Sequence, residues 1–258
     1  MLIPTTFKTI REKRKHHPSE YLWKQSLSIN SQFCQAVVET GYLTWKQMVS
    51  AACRYCLGAS KQGGVIFWQI DQEKRVRDGK VMYYGPDCHR LKDKQHHPTW
   101  VSAFLRRRDP FLDAPHETTH CFFGLHLLEE GGGTRNYSHS SFLTPPSSKS
   151  IAIVEAEKSA VILSEYYPQC IWMAAGGLGE VQMDKFRPLR GRKTILFPDT
   201  DPEGIAFRRW SEAAATVMQQ PFWEDSPPIR VSPILEQHAT LDQKAAKIDI
   251  ADFILSHR

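Results

Sequence analysis

Residues 151–163 read IAIVEAEKSAVIL, residues 174–181 read AAGGLGEV and residues 194–207 read TILFPDTDPEGIAF. Three short apolar runs, 151–154, 171–174 and 194–197, are each followed by a stretch with helical patterning, at 158–167, 183–189 and 204–219. Apolar runs of this length without polar alternation fit strands that are buried on both faces. Strand and helix taken in turn predict a parallel sheet covered by helices, an α/β fold. In such sheets chemistry collects beyond the C-terminal ends of the strands.

Carboxylates stand at those ends. The first strand runs into Glu155, with Glu157 two residues on, and the third runs into Asp199, Asp201 and Glu203. Alternate residues of an extended segment point the same way, so Asp199 and Asp201 are expected to offer both carboxylates to one cation, with Glu155 reaching it from the neighbouring strand. Several carboxylates in one cleft repel each other, and hard oxygen ligands select Mg2+ or Mn2+ to relieve that repulsion. The other reading of acids at strand ends is that they cap the helices that follow.

The order of strand, Glu, small residue, Glu, helix, a glycine turn after the second strand, then an apolar strand and D-x-D-x-x-G resembles the Toprim pattern of bacterial-type primases, type IA and II topoisomerases and certain nucleases. Ala156 stands where that pattern commonly has glycine. The flanks narrow the likeness to primases. CFFGLHLL at 121–128 resembles the element that precedes Toprim there, 64–71 with 77–81 resembles a strand pair of the primase N-terminal subdomain, and IDIADFI at 248–254 resembles the acidic closing motif. A closer likeness is to Toprim proteins of plasmids and conjugative elements, in which Glu-x-Glu-Lys and a later Trp recur; here the Trp is Trp210.

The resemblance implies a Toprim-type parallel sheet flanked by helices and preceded by a smaller basic α+β subdomain. It implies primer synthesis on single-stranded DNA by metal-dependent nucleotidyl transfer from nucleoside triphosphates, in the replication of a mobile element. Two Mg2+ or Mn2+ ions would be held by Glu155, Asp199 and Asp201, with Glu157 and Asp249 as further ligands. Glu155 is alternatively a general base, and Lys158 would reach a phosphate. The sequence has no P-loop and no cysteine-rich zinc module ahead of residue 30, so either a separate helicase or zinc-binding module is an expected partner or those parts lie ahead of this sequence in a longer chain. A degenerate Toprim protein that only binds DNA, and a Toprim nuclease, remain open.

The net charge of +5 conceals an asymmetry: residues 1–150 carry +8 and residues 151–258 carry −3. A basic segment beside an acidic one suits a protein that holds a polyanion with one part and cations with the other, although charges of both signs also simply solvate a surface. Lys80, Arg90, Lys92, Arg106, Arg107 and Arg108 are the candidate contacts to a template backbone. The expected organisation is a basic helical segment over 1–57, a primase-like α+β subdomain over 58–130, a linker or loop over 131–150 and the Toprim domain over 151–258. Within the first part, helices are expected near 30–40, 45–56 and 100–108, with a hairpin from 64–71 and 79–84.

No apolar run reaches the roughly 18–20 residues that cross a bilayer, and the N-terminus lacks the order of a secretory signal, so a cytoplasmic protein without a membrane span is expected. Cys53-x-x-Cys56, with Cys88-His89 downstream, invites a zinc reading, but two cysteines three apart on an apolar helix are more often core. His116-Glu117-x-x-His120 matches the zinc-protease helix. That motif overlaps the segment leading into the pre-Toprim element, and zinc proteolysis is the remote alternative.

Overall fold

The computed structural model describes residues 18–93, 95–108, 120–129 and 149–256. Three helices come first: α1 (Pro18–Ser26), α2 (Gln32–Glu39) and α3 (Trp45–Arg54). The Ser31 hydroxyl accepts from the Cys34 N–H at the start of α2, and Thr44 with Gln47 forms the reciprocal capping box at the start of α3. An antiparallel sheet follows in the order β1 (Gly58–Ala59), β2 (Val65–Ile70), β3 (Val76–Met82) and β4 (Thr99–Trp100). The expected hairpin is the β2/β3 pair, whose second strand starts earlier than the sequence suggested, at Val76. Trp100 belongs to β4, and the helix expected over 100–108 is α4 (Val101–Arg108).

The second sheet contains β5 (Ser150–Val154), β6 (Cys170–Ala174), β7 (Thr194–Phe197) and β8 (Arg230–Val231), all parallel, in the order β6-β5-β7-β8. Helix α5 (Glu157–Tyr166) links β5 to β6, and α6 (Ile205–Met218) lies between β7 and β8. These two connections leave the centre in opposite directions. Right-handed crossovers therefore put α5 and α6 on opposite faces of the sheet. The segment at 183–189 winds as a 3-10 helix with Pro188 near its end, where the missing N–H and the ring stop an α-helix from continuing. Three short helices close the chain: α7 (Ile234–His238), α8 (Leu241–Ala246) and α9 (Ile250–Leu255).

One continuous hydrophobic core runs from Phe33 in α2 through Phe67, Phe123 and Ile153 to Ala251 in α9. The segments delimited in sequence as 1–57, 58–130 and 151–258 thus share an interior. Phe123 is the joint: its N–H donates to the Ala174 carbonyl at 2.9 Å and its carbonyl accepts from the Ala174 N–H at 3.1 Å, while its ring stacks on Tyr55. Helix α5 is buried over every residue from Glu157 to Ser164, because the sheet covers one side and α3 and α9 cover the other.

One reading of the first part changes. Cys53 is exposed, whereas Cys56, just past α3, is half-buried and packs against the apolar cluster of Ile66, Trp68 and Val101. The expected linker at 131–150 falls, up to residue 148, outside the described residues. Among the described residues no helix is long and apolar enough to cross a membrane.

Candidate metal centre at the sheet's switch point

Strands β5 and β7 are neighbours whose connections run apart, which opens a crevice beyond their C-terminal ends. Glu155 follows β5 and Asp199 follows β7, so the fold brings these two predicted residues to one place. Both are half-buried. Burial raises the proton affinity of Asp199 well above the usual carboxylate range, and the negative charges of Glu155, Asp249 and Asp252 raise it further against the opposing charge of Lys158. Glu155 is raised in the same way, by burial first and by Asp249 and Glu157 after it, while a hydrogen bond from the Leu178 N–H and the charge of Lys80 pull it down. The Asp199 Oδ1 atom is buried and has no hydrogen-bond partner.

The glycine turn at 176–179 closes over this crevice. The Ala175 N–H donates to the Val154 carbonyl and the Gly176 N–H to the Glu155 carbonyl, both at 2.9 Å. Gly176 has φ +93°, and a Cβ there would stand 3.3 Å from Glu157 Oε1, so a side chain would be both strained and crowded. Trp210, fully buried in α6, donates from its indole to the Leu178 carbonyl at 3.2 Å. Trp210 thereby fixes the residue whose N–H reaches Glu155.

Other predicted ligands are engaged elsewhere. Asp201 is engaged by backbone donors: its Oδ1 accepts from the N–H groups of Glu203 (3.1 Å) and Ile205 (2.9 Å), and its Oδ2 from Ala206 (2.8 Å). It caps α6, and although burial raises its carboxyl, those three backbone donors outweigh burial and hold it below the usual range. Glu157 is buried and paired with Lys80 at 3.1 Å. Asp249 caps α9 through the Asp252 N–H at 2.8 Å and accepts from the Ser159 hydroxyl at 2.6 Å. Among the described residues, no three His, Cys, Asp or Glu side chains are arranged to hold a metal ion together.

The predicted cations divide similarly. Lys158 faces no open phosphate site; it is buried, 2.9 Å from Asp252 and 3.5 Å from Asp249. Lys80 is drawn inward from β3, with Nζ 2.7 Å from the Gly176 carbonyl as well as on Glu157, so it ties the first sheet to the glycine turn. Arg90, Lys92 and Arg107 are exposed. The side chains of Arg106 and Arg108 lie outside the described residues, as do His116 and Glu117. His120 is described; its Nε2 lies 3.3 Å from the buried Asp78 carboxylate and its ring stacks on Trp100 with centroids 4.0 Å apart.

Sequence reading missed three partners. Asp252 pairs with Lys158, Asp78 receives Ser102 and His120, and Glu180 pairs with Lys185 at 2.7 Å. Asp249-x-x-Asp252 carries a cap signature that would have marked the first of these. Burial raises the Glu180 carboxyl, but its hydrogen bond with Lys185 and the charges of Lys185, His120 and Lys80 hold it below the usual range.

Structural comparison finds the crystal structure of the primase fragment of bacteriophage T7 primase-helicase protein, at 16% identity and a TM-score of 0.45, covering 81% of this chain and 66% of that one. It also finds a structure of bacteriophage T7 lagging-strand DNA polymerase interacting with primase domains of two gp4 subunits bound to an RNA/DNA hybrid and dTTP, at 17% identity and a TM-score of 0.41, covering 78% of this chain and 76% of that one. The chain thus spans just under two thirds of the primase fragment's length. No curated protein matches it. A family model described as a domain of unknown function, DUF6371, matches residues 31–200, and the chain belongs to that family.

Proposed function

We propose that this chain is a Toprim-type, primase-like protein in which Glu155 and Asp199 support metal-dependent nucleotidyl transfer, making primers on single-stranded DNA for replication of a mobile element. The observation that carries the reading is the Asp199 carboxylate. It stands beside Glu155 in the switch-point crevice, burial and like charge disfavour its ionised form, and its buried Oδ1 has no partner. A Mg2+ or Mn2+ ion fits this donor set, and Glu155 and Asp199 would hold it. When bound, such an ion lowers the pKa of a primer 3′-hydroxyl and screens triphosphate charge.

The chain's own residues do the rest. As the alternative to holding the ion, the Glu155 carboxylate, with its proton affinity raised by burial, would accept the proton of the 3′-hydroxyl that attacks the nucleotide's α-phosphorus and displaces pyrophosphate. Trp210 and Leu178 keep Glu155 in place, and Lys80 keeps the glycine turn against the Glu155 segment. The exposed Arg90, Lys92 and Arg107 bind template phosphates. The test is incubation with single-stranded templates, labelled ribonucleotides and Mg2+ or Mn2+, with and without a separate helicase or zinc-binding module. Short labelled products are expected, and Asp199→Asn should reduce them by about 100-fold or more. A protein that binds template yet makes no product under any of these conditions would rule the reading out.

One observation favours a second reading, a Toprim accessory that binds DNA without catalysis. Asp201, the second carboxylate of D-x-D, engages both of its oxygens in capping α6. The same assay separates the two readings, and cleavage of a labelled template would identify a nuclease instead.

A further inference from the structure

Among the described residues, Asp201, Glu157, Asp249 and Asp252 are carboxylates near the switch point that already have partners. Asp201 accepts three backbone N–H groups. Glu157 is paired with Lys80. Asp249 accepts the Asp252 N–H on one oxygen and the Ser159 hydroxyl on the other. Asp252 receives the Lys158 ammonium at 2.9 Å. Beside them, Glu155 and Asp199 have no cationic or multiple-donor partner in direct contact among the described residues, and the Asp199 Oδ1 is buried and unpaired.

Lys158 is the unusual member. Its side chain is 8% exposed, and it sits on a helix that the sheet, α3 and α9 enclose. A lysine so deeply covered stays charged only where carboxylates face it, and Asp249 and Asp252 do. Its charge also acts on Asp199, opposing the repulsion from Glu155, Asp249 and Asp252. An ammonium in this position does for two of the cluster's carboxylates what a divalent ion does elsewhere.

We infer that the centre takes a single divalent cation, on Glu155 and Asp199, and that the Lys158 ammonium is a fixed second positive charge that occupies Asp249 and Asp252 in place of a second ion. The inference rests on the reading of Glu155 and Asp199 as a metal-binding pair and narrows it. It departs from the two protein-held ions expected from sequence. A second ion used in a reaction would have to arrive with the phosphates of the nucleotide, because among the described residues the neighbouring carboxylates Asp201, Glu157, Asp249 and Asp252 are already engaged.

The test is a titration of the full chain with Mn2+ alone, in which free ion is counted by electron paramagnetic resonance. One site is expected. Glu155→Gln or Asp199→Asn should weaken it by about tenfold or more, whereas Asp249→Asn and Asp252→Asn should leave it within about twofold. Lys158→Met should expose a second site, since it removes the one cation that faces both Asp249 and Asp252. Two sites in the unaltered protein would overturn the inference, as would a folded Lys158→Met variant that still binds one ion. Should Lys158→Met fail to fold, Asp252→Asn decides: unchanged affinity supports the inference, and a tenfold loss overturns it. No site at all in the unaltered protein would reject the metal reading itself rather than the count.

Discussion

Asp199 and Asp201 lie two residues apart and meet different fates, which the D-x-D pattern alone could not separate. A carboxylate just ahead of an apolar helix reads equally well as a ligand or as a cap. In the structure Asp201 accepts the N–H groups of Ile205 and Ala206, the first two residues of α6, and of Glu203 just ahead of it, which supports the cap reading. Asp201→Ala should therefore lower stability by about 1–2 kcal/mol in urea unfolding while leaving Mn2+ affinity within about twofold. A lost metal site with unchanged stability would return Asp201 to the ligand set. The two acids also differ in pH dependence. Asp201 titrates below its unfolded value, so its stabilisation is present above about pH 3.9 and is lost as pH falls through the lowered folded value. Asp199 titrates above its unfolded value, so it costs stability as pH rises from about 3.9 through the raised folded value. With chelator present, Asp199→Asn should raise the melting temperature at pH 8 more than at pH 5. An equal shift at both pH values would contradict the assigned repulsion.

Helix α5 shows how far patterning reaches. The run AVIL within EKSAVILSEY predicts a buried helix, and the strand before it predicts where Glu155 falls. That Lys158 and Glu157 are themselves buried follows only from the packing of α3 and α9 against α5, elements distant in sequence. The two-residue strands β1, β4 and β8 have no period to read, and none was expected as a strand of its own. Phe123, by contrast, lies in an element read correctly as preceding the sheet, yet its bridge to Ala174 depends on tertiary contact alone. Tyr55 is another tie between the halves: its hydroxyl donates to the Trp172 carbonyl at 2.8 Å and lies 3.3 Å from the Ala160 carbonyl. Tyr55→Phe leaves those buried carbonyls short of a donor and should cost about 1–2 kcal/mol in chemical denaturation. A neutral substitution would mean that another donor supplies them.

Charge asymmetry was readable from composition, but which cations stay outside was not. Lys80 and Lys158 are drawn inward by carboxylates, while Arg90, Lys92 and Arg107 remain exposed. Neutralising those three together should weaken single-stranded DNA binding and reduce the logarithmic salt slope by about 0.7 per lost phosphate contact, read by fluorescence anisotropy. Mn2+ binding should be unaffected. An unaltered slope would make these cations solvated surface only. Because one core runs through both sheets, denaturation should be a single cooperative transition, and separately expressed halves are not expected to stand in for the whole. The account as a whole turns on the crevice between β5 and β7, and anomalous diffraction at the manganese edge from crystals of the full chain soaked in Mn2+ tests it most directly. The predicted result is one peak, about 2.1 Å from oxygens of Glu155 and Asp199. A peak bound instead by Asp201 or Asp249, or no peak in the crevice, would contradict it.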